Sequence, residues 1–394
     1  MKAVKLKTEY LKNPLGIDIK NPRFMWNCEG GKAQSAYRLI ASDTRGNILW
    51  DSGKVESSQM SFIPYPLDTP SRLRVNWKVK LWDENGLEGE WSEPAFFEIG
   101  LRNASDWSAK WITGNYNVNR KQRYPVDCFK KEFECKKPVL SARLYMTACG
   151  IYSAGLNGTD FTMPLAPGIT EYRKRIQYQT YDVTHLLHEG ENTICAELAD
   201  GWYRGSVGAW GLKNQYGTET KLLVQLEIKY TDGTVQTVTS DGSWLWSNDG
   251  AIRFADNKDG ERVNANNIPS YKNHAKETVC KALPSASNNF PIAEKERFKP
   301  TLSVTPSGKK LLDFGQNIAG YAEFEVTARE GQKITLEFGE LLRDGELTLE
   351  NIQCKNKHKT TPLQRVEYIC KEGVNRYKTK FAIFGFQYIS VETD

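Results

Sequence analysis

The sequence predicts an all-β protein built from three antiparallel sandwiches in tandem, on three observations. Apolar residues recur with a period of two in run after run, of which LRVNWKVKLWD at 73–83 is the longest. Turn dipeptides such as Asn-Gly, Asp-Gly and Pro-Gly punctuate those runs. No segment sustains an i, i+3, i+4, i+7 apolar stripe over three turns, so long helices are not expected. A chain of 394 residues is also too long for one core, and ordinary domain size divides it into three.

Composition removes several function classes. With 39% hydrophobic and 26% charged residues, 11 Trp and 18 Tyr, the chain can build its cores without metals or disulfides. Its 53 basic and 48 acidic residues are interspersed, with no block of Lys and Arg to track phosphates, so nucleic acid is not an expected partner. Lys2, Lys5 and Lys7 stand near an N-terminus whose apolar run is broken by charges every second or third residue. That is no signal-peptide core, and nothing later approaches the roughly 20 apolar residues of a spanning helix. A cytoplasmic protein with no membrane partner is therefore expected. The eight cysteines are scattered without a CxxC pair, which reads as reduced thiols, several of them buried in strands. The four histidines form no ligand cluster, so no metal site is assigned.

The first domain is expected over 1–104. AYRLIAS at 36–42, 48–51, 73–83 and 95–99 are strand-length runs, with turn signals at 43–47, 51–53 and 83–86. About seven short strands over ~100 residues describe an immunoglobulin-like or fibronectin type III-like sandwich. In its longest strand Val75, Trp77, Val79 and Leu81 should face inward and Asn76, Lys78, Lys80 and Trp82 outward, with Trp77 as the buried aromatic. No nucleophile and base, and no carboxylate dyad, accompany it, so this domain reads as scaffold or spacer.

A jelly-roll, carbohydrate-binding-like domain is expected over 105–289. Asn157-Gly158 between strand runs at 151–156 and 159–163 predicts a tight hairpin, because this dipeptide accepts positive φ at both positions. Asp182 and Thr184 can cap one helical turn, and 222–230 should pair with 235–239 around Asp232-Gly233. The Pro, Ser and Asn density between about 270 and 300 marks a linker or crossing strand. A third sandwich, jelly-roll or lectin-like, is expected over 290–394, with strands at 311–314, 320–326, 333–340, 364–370 and 381–391.

The stretch LADGWYRGSVGAWGLKNQYG at 198–217 organises the second domain. Its glycines disfavour helix, each costing about 1 kcal/mol against alanine. A pyranose has an apolar face that stacks on Trp or Tyr and hydroxyls that need planar polar partners, and Trp202, Tyr203, Arg204 and Asp200, with Asn157 and Glu171, supply such a set. Trp210 lies in the same loop. The opposing reading has these aromatics cap their own sandwich, Asp200 and Gly201 shape the turn, and Asn157 serve only its hairpin.

The order of motifs resembles the N-terminal region of bacterial α-L-rhamnosidases of glycoside hydrolase family 78 over nearly the whole chain. The resemblance rests on AYRLIAS, LWDSGKV, VNWKVKLWDENG, WSEPAFFEIGL and DWSAKWI in the first third. It continues through ARLYMTACGIYSAGLNG, LAPGITEYRKRIQYQTYDVTHLL, DGWYRG, YTDGTVQTVTSDGSWLW and DGERVNAN, and then LLDFGQNIAGY, GELLRDGEL and FAIFGFQYISVE. It implies a fibronectin-like domain, one or more sugar-binding-type sandwiches, and then a helical α/α barrel holding the acid and base of an inverting hydrolysis. No repeat in this sequence could build that barrel, which would begin past Asp394. The expected partners are L-rhamnose-containing glycosides or glycans and the missing C-terminal catalytic barrel. A free-standing carbohydrate-binding or adhesion module is the alternative.

No catalytic residue is assigned. Glu337 and Glu340 sit three apart in a strand and point to opposite faces. Glu340 and Asp344 flank a turn. Asp256, Asp259 and Glu261 read as a solvated loop after a strand at 251–254. No cofactor is required, although calcium is admitted, since hard cations collect loop carboxylates and some related rhamnose-binding modules are calcium-dependent.

Overall fold

The computed structural model describes residues 1–357 and 359–394. They form two compact units, 1–108 with 285–290, and 109–284 with 291–394. Strands dominate both. Among the described residues the helical segments are one α-turn, Gly201–Arg204, and two 3₁₀ turns, Ala104–Asp106 and Thr184–Leu186. Among the described residues no helix is long and apolar enough to cross a membrane.

Residues 1–108 hold nine strands, two more than the sequence suggested. Lys2–Thr8, Arg23–Glu29 and Ile63–Pro64 make a three-stranded sheet. The other sheet is built on Gln34–Ser42 paired with Arg74–Asp83. Ile48–Asp51 and Val55–Glu56 add to the former strand, and Glu88–Trp91 and Ala95–Glu98 to the latter. Trp77 is 2% exposed, with its ring centre 4.5 Å from that of Phe24. Trp82, expected outward, is buried too, and the Lys54 ammonium lies 5.2 Å over its ring. A long Lys stem covers an outer-face aromatic while its charged head stays wet.

The second unit contains two sandwiches. In the first, one sheet runs through Lys276–Thr278, Trp111–Thr113, Lys221–Tyr230, Val139–Cys149 and Ile176–Asp182, with Val235–Thr239 beside Lys221–Tyr230. The other orders Thr159–Asp160, Ile151–Leu156, Gly190–Ala199, Asp127–Cys135, Leu245–Ser247 and Asn273–His274. Leu144, Met146, Val224 and Leu226 of the one pack with Phe129, Tyr152, Ile194 and Leu198 of the other. The hairpin at Asn157 (φ 51°) and Gly158 (φ 80°) forms as its dipeptide requires. Lys221–Tyr230 pairs with Val235–Thr239 as expected.

The next sandwich has a seven-stranded sheet in the order Ile252–Asp256, Gly260–Asn264, Arg365–Ile369, Lys333–Gly339, Phe384–Thr393, Lys310–Gly320, Thr301–Val304. A ribbon of Glu323–Ala328 and Gly373–Lys378 accompanies it. Phe338, Phe384, Phe386, Val366 and Ile389 form its core. This pairing moves the expected boundary. Residues 252–264, placed by sequence within 105–289, belong to the later sheet, where Gly260–Asn264 runs parallel to Arg365–Ile369. Parallel pairing between distant strands leaves no turn signal to read. Residues 285–290 likewise group with the first unit. Gly260 makes the parallel contact feasible: its φ is +107°, and a Cβ there would stand 1.8 Å from the Arg365 carbonyl oxygen.

Candidate functional site

The loop after strand Gly190–Ala199 does not stay irregular. Gly201, at φ 52°, turns the chain against Ile151, where a Cβ would meet the Ile151 side chain at 2.6 Å. Four residues then close one helical turn, Gly201–Arg204. That turn brings Asp200 and Arg204 into i, i+4 register, and the Arg204 Nε donates to Asp200 Oδ1 at 2.6 Å. Packing of the turn thus overrides the glycine penalty that disfavoured helix here.

The turn docks onto the Asp256–Gly260 bend of the following sandwich. Arg123 joins them: its Nε donates to Asp200 Oδ2 at 3.1 Å and its other arm to Asp256 Oδ2 at 2.6 Å. Ser206 donates its backbone N–H to Asp256 (2.9 Å) and its hydroxyl to Asp259 (3.3 Å). Asp256 also accepts from the N–H groups of Lys258 and Asp259, and Asp259 from Thr361 and the N–H of Leu363. On the other side Arg204 donates to the Tyr116 hydroxyl at 2.7 Å, and Tyr116 in turn donates to Asp127. Trp246 and Thr220 donate to Asp127 as well. Close by, Glu261 accepts from the Tyr377 hydroxyl and the N–H groups of Lys380 and Phe381, while the Lys380 ammonium pairs with Glu197 at 2.8 Å.

Burial decides the electrostatics. Asp127, Asp200, Arg204, Asp256 and Glu261 are each no more than 5% exposed. Burial raises the Asp127 carboxyl above the usual carboxylate range. It lifts Glu261 to about 7, against the lowering pull of Tyr377 and the two N–H donors. Burial also pushes Asp256 up, but the Arg123 charge and its N–H partners outweigh it and leave that pKa lowered. Asp256, Asp259 and Glu261 are therefore not the solvated loop the sequence suggested. Their oxygens are taken by donors of the protein, so this set does not fit a calcium ion. Among the described residues no group of three His, Cys, Asp or Glu could hold a metal.

The six sugar-binding candidates separate. Asp200 (3% exposed) and Arg204 (5%) are buried in the junction, where both Asp200 oxygens, the Arg204 Nε and one of its terminal nitrogens are engaged by protein partners. Asn157 is committed to its hairpin, donating to the Leu186 carbonyl and Asn192 and accepting from the Thr193 N–H. Half-buried Trp202 packs against two apolar clusters. Tyr203 meets Tyr172 edge-on at 5.3 Å and stacks near Tyr216, and its ring lies over Gly217, where a Cβ would stand 2.4 Å away. Glu171 is exposed and pairs with Arg173 at 3.5 Å, while the Arg173 guanidinium sits 5.3 Å over Tyr216. Trp210, at 54% exposure, is the loop's outward aromatic. Sequence reasoning missed Arg123, Tyr116, Asp127 and Ser206, whose partners lie up to 133 residues away. A signal was present in the paired motifs DGWYRG and DGERVN, each with an Asp-Gly step and an Arg.

The glutamates nearer the C-terminus make no dyad. Glu337 pairs with Arg365 at 2.8 Å, and Glu340 accepts from the Asn351 amide at 2.9 Å.

Comparison with known proteins matches three family models in chain order. They are the N-terminal immunoglobulin domain of Rha78A-like proteins over 3–103, the α-L-rhamnosidase N-terminal domain over 137–294, and the bacterial α-L-rhamnosidase concanavalin-like domain over 303–394. An α-L-rhamnosidase of Alteromonas sp. (strain LOR) is 34% identical over 415 residues, covering 96% of this chain and 44% of that protein. One from Formosa agariphila is 33% identical, over 98% of this chain and 44% of its own length. The crystal structure of the α-L-rhamnosidase from Aspergillus terreus superposes with a TM-score of 0.92 at 27% identity, over 99% of this chain and 47% of that one. The chain thus spans less than half the length of these relatives. Domain content, domain order and overall likeness agree, and the chain belongs to the α-L-rhamnosidases, of which it carries the N-terminal, non-catalytic β-sandwich domains.

Proposed function

We propose that this chain is the supporting front portion of an enzyme that releases terminal L-rhamnose from rhamnosides, with the bond-breaking acid and base supplied by a further, helical catalytic domain. One observation carries the reading: the buried carboxylates of the second unit, Asp127, Asp200, Asp256, Asp259 and Glu261, are all engaged by protein donors. An inverting hydrolase instead needs two carboxyl groups facing each other across open space, about 6.5–9.5 Å apart. The motifs that make the family recognisable work here as a clamp between sandwiches, which suits a rigid base for another domain. On this reading the isolated 394-residue chain does not hydrolyse an aryl rhamnoside. Turnover that disappears when Glu337 or Glu340 is changed to Gln overturns it.

Accessory carbohydrate contact is the second part of the proposal, confined to Trp210, the outward aromatic of the loop. It is supported by the exposure of a flat indole beside a loop whose other aromatics are fixed by packing. Calorimetry with L-rhamnose is expected to show weak, millimolar binding that Trp210→Ala removes. Absence of heat, or heat unchanged in Trp210→Ala, eliminates this part and leaves the supporting role standing.

A further inference from the structure

Away from the charged junction, two thiols meet. Cys149 ends strand Val139–Cys149 and Cys280 follows strand Lys276–Thr278 at the sheet's edge. Although 131 residues separate them in the chain, their sulfurs lie 3.8 Å apart. Cys149 is fully buried and Cys280 half-buried, in a box walled by Tyr172, Tyr203, Tyr216 and Trp111. Lys221, the cross-strand partner of Cys149, reaches past the pair to donate its ammonium to the Val279 carbonyl.

We propose that Cys149 and Cys280 are an oxidisable dithiol, a modification site that closes to a disulfide when a hydroperoxide reaches Cys280. Geometry supports each step. The two sulfurs are in hydrogen-bonding contact, and this contact, with the nearby Lys221 charge, favours the thiolate at Cys280, the member that solvent can reach. That thiolate attacks one peroxide oxygen, the O–O bond breaks, and hydroxide leaves, giving a sulfenic acid. The Cys149 sulfur then attacks the Cys280 sulfur. The S–O bond breaks and the departing hydroxide takes the Cys149 proton as water. In sum the two thiols lose two electrons, and one hydrogen peroxide becomes two waters. Closing to an S–S bond of about 2.05 Å needs a further approach of about 2 Å. Cys280 can supply it by turning about its χ1 in a segment that follows a three-residue edge strand.

A cross-link between residues so distant in sequence restrains the unfolded chain and should raise the melting temperature. The purified chain, treated with equimolar hydrogen peroxide, is expected to yield a single cross-linked peptide pair containing Cys149 and Cys280 and to lose two titratable thiols. It should also melt several degrees higher, and dithiothreitol should reverse all three changes. Cys280→Ser is expected to abolish them, while Cys149→Ala should leave a sulfenic acid at Cys280 that dimedone traps. Should Cys149→Ala fail to fold, Cys280→Ser still decides. Peptide maps showing both thiols free after oxidation, or a melting shift equally large in Cys280→Ser, overturn the proposal.

Discussion

The second sandwich has two interiors that are held together differently. Between its own sheets, Leu144, Met146, Val224, Leu226, Phe129 and Ile194 meet as apolar surface. At its border with the following sandwich, Val126, Ile151, Leu165 and Ala199 make a smaller apolar contact, and beside it Arg123, Asp200, Arg204, Asp256 and Asp259 form a continuous charged network. Apolar packing is non-directional and tolerates exchanges of similar volume. A buried ion network tolerates few, because removing one member leaves its partners charged and unsolvated. The sheets are thus held face to face by burial, whereas the junction with the next sandwich adds directional bonds to a smaller apolar contact.

The largest effect expected from breaking this contrast is Arg123→Ala. It removes the cation shared by Asp200 and Asp256, and denaturant unfolding should show a loss of about 3–5 kcal/mol. A loss under about 1 kcal/mol would mean that the network is solvated and that the two interiors are alike.

Leu226→Ala, in the apolar interior, is expected to cost about 3 kcal/mol through lost burial and a residual cavity. Its deficit should not change with pH below 3.8, the range in which that of Arg123→Ala shrinks as Asp256 takes up its proton. A deficit that varies there would couple the two interiors.

The subtlest test sharpens the comparison within the junction. Glu261 has a folded pKa raised to about 7 from an ordinary 4.5, so its contribution is fully present below 4.5 and is lost as pH rises through about 7. Asp256 has a lowered pKa and slopes the other way: its contribution is present above the ordinary 3.8 and is lost as pH falls below it. Thermal melts of Glu261→Gln should therefore decline less from 4.5 to about 7 than those of the parent. Parallel curves would show that the Glu261 carboxyl ionises freely in the folded protein.

Much of the fold was legible because its signals are local. Period-two alternation placed Arg74–Asp83 and its buried Trp77, and Asn157-Gly158 placed a hairpin whose register the turn dictates. Trp82 shows where local reading ended: alternation sent it outward, whereas in the fold it is buried, with Lys54 brought over its ring. The candidate site was less legible. Trp202 and Tyr203 suit a sugar or a core equally well on sequence, and in the fold both are half-buried against apolar clusters.

By itself the sequence determined that this protein is a row of antiparallel sandwiches carrying the rhamnosidase motifs, since strand period, turn chemistry and motif order all reside in consecutive residues. Only the tertiary structure decided that Asp200 and Arg204 clamp two sandwiches together, that residues 252–264 join the later sheet, and that Cys149 faces Cys280. Each depends on which distant side chain arrives within hydrogen-bonding or van der Waals reach. Such an encounter is a property of the packed chain and leaves no mark on the spacing of neighbours along it.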